Sequence, residues 1–188
     1  MRFSRLAAGV AAAMLVLTGC SSTGTDPGGT EAVSARSVPH LSRSLPVSLS
    51  IPAIGVDTSL MKLGLEPDGS MSAPPTAFPA GWYTFSPTPG EIGPSVISGH
   101  VDFNGPGVFL RLHQLKAGDK ITVVRADGSK PVFTVTRLLQ VPKAKFPSNE
   151  VYGKIAYAGL RLITCGGAFD ASTGHYVDNL IVFTTLNG

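Results

Sequence analysis

Leu160-Arg161-Leu162-Ile163-Thr164-Cys165-Gly166-Gly167 is a short apolar and β-branched run that closes on a thiol and two glycines. Its length and composition read as a buried strand. Gly166-Gly167 marks where that strand gives way and a second backbone can come close. Sixty-five residues earlier, Pro94-Ser95-Val96-Ile97-Ser98-Gly99 reads as another buried strand, and it ends on His100. A thiol at the exposed end of one strand and an imidazole at the end of another are the parts that cysteine-based acyl transfer needs: a nucleophile, and an acid or base to serve it.

Short strands continue outward from this pair. Leu45, Val47, Leu49 and Ile51 alternate with Pro46, Ser48 and Ser50, the period of a half-buried strand. Pro67-Asp68-Gly69-Ser70 is a turn. Residues 121–126 and 132–139 are β-rich and joined through Asp127-Gly128-Ser129-Lys130, which reads as a hairpin. Residues 180–186 form the last strand. Only residues 108–115 and 149–152 suggest a helical turn or two. The chain is therefore mainly β, and strands of this length with Gly and Pro punctuation fit a sandwich or a closed barrel equally.

The N-terminus carries Arg2 and Arg5, then an apolar run over residues 6–17 that is shorter than the roughly 20 residues of a membrane span. Residues 1–19 are expected to be an export signal. Leu17-Thr18-Gly19-Cys20 is similar to the lipobox of bacterial lipoproteins, which implies lipid attachment at Cys20 and an extracytoplasmic, membrane-anchored protein. Residues 20–44 are rich in Ser, Thr, Gly and Pro and read as a flexible tether with an end-to-end distance of roughly 25 to 30 Å. Residues 45–188 form one domain.

Lys plus Arg number 15 against 12 Asp plus Glu, and two of the cations are Arg2 and Arg5. The mature chain is thus close to neutral and carries no nucleic-acid footprint. With one of its two cysteines in the lipobox, an exported protein is left with a single thiol in an oxidising compartment, which favours a working cysteine over a buried filler. No metal-ligand spacing appears, and neither a metal nor a cofactor is expected.

Ser98-Gly99-His100 followed by Leu162-Ile163-Thr164-Cys165 resembles the two signature segments of the sortases. The stretch Thr164-Cys165-Gly166-Gly167-Ala168-Phe169-Asp170, then Thr173-Gly174-His175-Tyr176 and Asp178-Asn179, is most similar to the class F sortases of actinobacteria, and the resemblance covers roughly residues 45–186. It implies an eight-stranded β-barrel with one or two short helices. It also implies a cysteine transpeptidase whose donors are secreted proteins bearing an LPXTG-like sorting signal, cut between Thr and Gly. The acyl group would pass through a thioester on Cys165 to an amine of a cell-wall precursor or a surface protein, with His100 as acid and base.

One part departs from the pattern. Sortases generally carry an arginine on the strand after the cysteine, whereas residues 165–188 contain no Arg or Lys. Asn179 is the candidate oxyanion donor, a role worth about 3 kcal/mol; alternatively, Asp178-Asn179 only shapes the start of the last strand. Arg161 shares strand parity with Cys165 but lies roughly 13 Å along the backbone, leaving Arg111, Arg125 and Arg137 to approach from elsewhere. His175 is the rival to His100, while His40 falls in the tether and His113 in the helical turn. Trp82, Tyr83 and Phe85 are either core or groove, residues 103–107 form a loop beside His100, and Asp102 and Asp170 flank the two candidate residues. Two other functions stay open: a thiol hydrolase of the same fold, and a lipoprotein binding module with an inert Cys165.

Overall fold

The computed structural model describes residues 38–188. The expected export signal, Cys20 and most of the expected tether lie outside the described residues. Eight strands close into a barrel: β1 (Pro46–Ile51), β2 (Val56–Leu63), β3 (Ala80–Tyr83), β4 (Gly93–Ser98), β5 (Lys120–Arg125), β6 (Val132–Pro142), β7 (Ala158–Asp170) and β8 (His175–Leu186), in the order β1-β2-β3-β4-β7-β8-β6-β5. β5 returns to pair with β1. The mainly β, eight-stranded barrel expected above is the architecture observed. The helical content is slight: one α-helix, α1 (Ser148–Tyr152), and isolated 3₁₀ turns, one of them at Leu112–Gln114. The hairpin expected around residues 127–130 joins β5 to β6.

Two pairings, β2 with β3 and β4 with β7, are parallel, so each requires a long connection rather than a hairpin. The β2–β3 connection and the β6–β7 connection, which contains α1, become the walls of the cleft described below.

The alternation of side chains gives the β7–β8 sheet two distinct faces. Leu160 and Leu162 of β7, with Leu180 and Val182 of β8, point into the barrel and join Leu49, Ile97 and Phe133 in its main core. Ile163, Ile181, Phe183 and Val96 point outward and are covered by Val151 of α1. β1 alternates as expected only in its second half: Leu49 and Ile51 are fully buried, whereas Leu45 and Val47 are exposed.

Residues 38–44, read from composition as the end of the tether, lie against the barrel. The Leu41 amide donates to the Gly90 carbonyl (2.8 Å), and the Ser44 amide to the Thr88 hydroxyl (3.1 Å). Arg43 pairs with Glu91 at 3.6 Å, and buried Arg125 donates to the Ser42 carbonyl. Composition marks where apolar periodicity stops; it does not register backbone bonds made by a polar segment.

Candidate active site

β4 and β7 run parallel with each β4 residue paired to the one 65 positions further on, from Gly93↔Ala158 to Ser98↔Ile163. The Gly99 amide continues the ladder by donating to the Ile163 carbonyl (3.1 Å). Extending the register to the next residue on that face sets His100 level with Cys165. On the other side Cys165 is paired directly with Asn179 of β8. Residues opposite one another share a face, so Cys165 and Asn179 continue the outward row begun by Ile163 and Ile181. All three candidates, His100, Cys165 and Asn179, line one cleft of about 690 Å³ and are half-buried there.

The floor of this cleft is β4 and β7. One wall comes from the β2–β3 connection through Met71 and Pro74, the other from the β6–β7 connection through Lys143, Phe146 and Tyr152. His100 Nε2 donates to the Pro74 carbonyl at 2.7 Å. A carbonyl can only accept, so this bond puts the neutral ring's proton on Nε2 and leaves Nδ1 as its basic nitrogen. Phe103, from the loop after His100, packs against the imidazole in a tilted arrangement with ring centroids 5.0 Å apart.

Away from the thiol the cleft becomes apolar. Tyr83 meets Phe85 at 5.6 Å and Tyr152 at 6.0 Å, and Phe146 meets Tyr152 at 5.9 Å. Burial pushes the Tyr152 phenol above its ordinary pKa, with Tyr83 adding to the effect. The three aromatics of residues 82–85 thus divide by strand parity. Trp82 points inward to the core and donates its indole N–H to the Pro87 carbonyl (3.1 Å), while Tyr83 and Phe85 line the cleft.

The strand bearing the thiol does not stop at the glycines. β7 runs on to Asp170 with a shift in register between Gly166 and Phe169, where Gly167 adopts φ +76° and a Cβ would collide with the Asp178 carboxylate. The glycines therefore re-aim the strand rather than end it. The hairpin they lead into turns on Asp170, whose carboxylate accepts from the Ser172 hydroxyl (2.6 Å) and amide (2.9 Å); those bonds hold its pKa below the usual carboxylate range.

Asp102, the other flanking acid, accepts the Tyr176 hydroxyl at 2.5 Å and so links the loop after His100 to β8. That hydrogen bond raises the Tyr176 pKa first of all; desolvation and the charges of Asp102 and Cys165 add to it.

None of the arginines weighed from sequence lines the cleft. Arg161 is buried and donates to the Leu160 and Thr184 carbonyls (3.3 Å each) and the Tyr157 hydroxyl (3.2 Å). Arg137 pairs with Glu150 at 2.5 Å and stacks on Phe183, Arg125 faces Asp127 at 3.4 Å, and Arg111 lies beside Gly55. His175, the expected rival, pairs with Asp170 in the exposed hairpin and does not line the cleft.

His113, by contrast, lines a second cavity of about 370 Å³ at the barrel mouth with Gln140, Tyr176 and Cys165 itself. Cys165 thus lines both cavities. Sequence reasoning singled out neither His113 nor Lys143, because both approach through long connections whose register no local pattern encodes. Among the described residues no cluster of three or more His, Cys, Asp or Glu could hold a metal ion.

The Sortase domain family matches residues 49–187. Among solved structures the chain is similar to a lid mutant of sortase A from Corynebacterium diphtheriae (TM-score 0.60, 20% identity, covering 79% of this chain and 73% of that one). It is also similar to sortase C1 from Streptococcus agalactiae (TM-score 0.60, 21% identity, 76% and 67%) and to the Clostridium perfringens sortase D5 transpeptidase (TM-score 0.55, 20% identity, 77% and 79%). No curated protein matches it in sequence. A closed eight-stranded barrel with a thiol on one strand and an imidazole just past the end of its parallel neighbour defines the class, and the chain belongs to the sortase family. Membership implies cysteine transpeptidase chemistry.

Proposed function

We propose that this chain is a class F-like sortase that cleaves an LPXTG-like sorting signal and transfers the acyl fragment to an amine. One observation carries this: Cys165, His100 and Asn179 share a single cleft. The Cys165 thiolate attacks the threonine carbonyl carbon, and the carbonyl electrons move to oxygen. The Asn179 amide donates a hydrogen bond to that oxyanion in place of the family's usual arginine. As the tetrahedral species collapses the C–N bond breaks, His100 gives its proton to the departing glycine amine, and a thioester remains on Cys165. The acceptor amine then adds to the thioester while His100 takes its proton. Expulsion of the thiolate leaves a new amide, so no oxidant, metal or cofactor enters the balance.

The motif Thr164-Cys165-Gly166-Gly167 with Asp178-Asn179 supports the class F assignment. The run Leu17-Thr18-Gly19-Cys20 supports a lipid anchor at Cys20 and action outside the cytoplasmic membrane, on secreted donors and on amines of cell-wall precursors or surface proteins. The test is mass spectrometry of the products formed from a Leu-Pro-Xaa-Thr-Gly peptide with and without a candidate amine. Transfer product with amine, and no product from the Cys165→Ala chain, is the expected result. Release of the acid alone at every amine concentration would make the protein a hydrolase, and turnover by Cys165→Ala would remove Cys165 from the chemistry.

A further inference from the structure

Lys143 is the one fixed charge that lines the cleft of Cys165 among the described residues. It is exposed, and no ion pair among those residues engages it. Asp178, on the adjoining strand, is turned to the opposite face, where it accepts from Gln140 Nε2 at 2.8 Å. Glu150, in the same β6–β7 connection, is taken by Arg137. A cation without a counter-ion at the edge of a cleft whose remaining walls are apolar or neutral is a receptor for a carboxylate on the ligand.

Register places the strand that leads to Lys143. Cys165, Asn179 and Val141 form one row across β7, β8 and β6; β6 ends at Pro142, and Lys143 opens the 3₁₀ turn that follows it and lines the same cleft as Cys165. Two strand spacings of about 4.8 Å put the Val141 backbone roughly 10 Å from that of Cys165, and Lys143 begins the turn just beyond it. The flexible lysine stem and an acidic side chain of the donor close that gap together. Resting on the transpeptidase assignment above, we infer that Lys143 selects acidic donors, pairing with a carboxylate at the variable position just before the threonine of the sorting signal.

The test uses the Cys165→Ala chain, which holds a donor without turning it over, and the isosteric labelled peptides Leu-Pro-Glu-Thr-Gly and Leu-Pro-Gln-Thr-Gly. The Glu peptide should bind up to about fivefold more tightly, the upper end for an exposed ion pair. The preference should vanish on adding Lys143→Met and in about 0.5 M salt, which screens exposed charges, and Lys143→Glu should reverse it in favour of a Lys-containing donor. Equal binding of the two peptides, no measurable binding of either, or a preference that survives Lys143→Met overturns the inference. Turnover by the native chain reads the function separately. If neither peptide is turned over while the binding preference persists, the transpeptidase assignment falls and the charge selection stands. Equal kcat/KM for both donors leaves the assignment standing and removes the selection.

Discussion

The two faces of the β7–β8 sheet are built from the same two strands and do opposite work. The inward row is apolar at Leu160, Leu162, Leu180 and Val182, carries the buried Thr164 and Thr184 at its ends, and is sealed in the barrel. The outward row changes along its length, from Arg161 beside Phe183, through Ile163 beside Ile181 under α1, to half-buried Cys165 beside Asn179 in the cleft. Burial therefore decreases towards the chemistry on one face and hardly varies on the other. A packed inner row holds the strand straight, which lets a reactive group sit on the outer row without a core of its own.

Substitutions on the two rows should separate activity from stability. The largest effect is expected at the imidazole. His100→Ala should lower kcat/KM by ~10²- to 10⁴-fold with an unchanged thermal midpoint. His113→Ala, in the mouth cavity, should leave the rate within a few-fold. Exchange of those two outcomes would move the acid–base role to the other side of Cys165. In the native chain the pH profile of kcat/KM should be a bell, one limb losing the thiolate as pH falls and the other losing the imidazolium as pH rises. A rate flat from about pH 5 to 10 would remove His100 from the chemistry.

Leu162→Ala, one residue from the outward row and three from the thiol, should cost about 2–5 kcal/mol of stability. Urea unfolding reads that loss, and the chain that remains folded should keep its kcat. If kcat falls in step with stability, the two faces are not independent. Asn179→Ala is expected to lower kcat by ~10²-fold with KM little changed, as for loss of one oxyanion donor. A purely structural Asn179 would instead shift the unfolding midpoint and spare kcat.

Much of this comparison is legible in the amino-acid order. Two buried strands, one ending on His100 and one on Cys165, and the shared parity of Arg161 and Cys165 can be read from it; the parallel pairing that brings Ser98 to Ile163, and so His100 beside Cys165, belongs to the folded barrel. The direction of the barrel's closure is not legible, because a period of two does not state which strands pair. Nor is the source of the side chains that arrive from connections: Pro74, Lys143, Phe146 and Tyr152 reach the cleft through loops whose paths depend on the finished barrel. Gly166-Gly167 looks like a strand end because glycine is rare inside strands. Here it allows a bulge that carries β7 on to Asp170. Trp82 and Tyr83 are neighbours with opposite fates, which only the placement of β3 beside β4 decides.

Alkylation of Cys165 by iodoacetamide, followed by peptide mapping, tests most directly whether the outward row ends in a working thiol served by His100. In the folded native chain the labelling should be fast, suppressed by a Leu-Pro-Xaa-Thr-Gly peptide and altered in its pH dependence by His100→Ala but not by His113→Ala. Labelling that waits for denaturant, or that neither the peptide nor His100→Ala changes, would contradict the account.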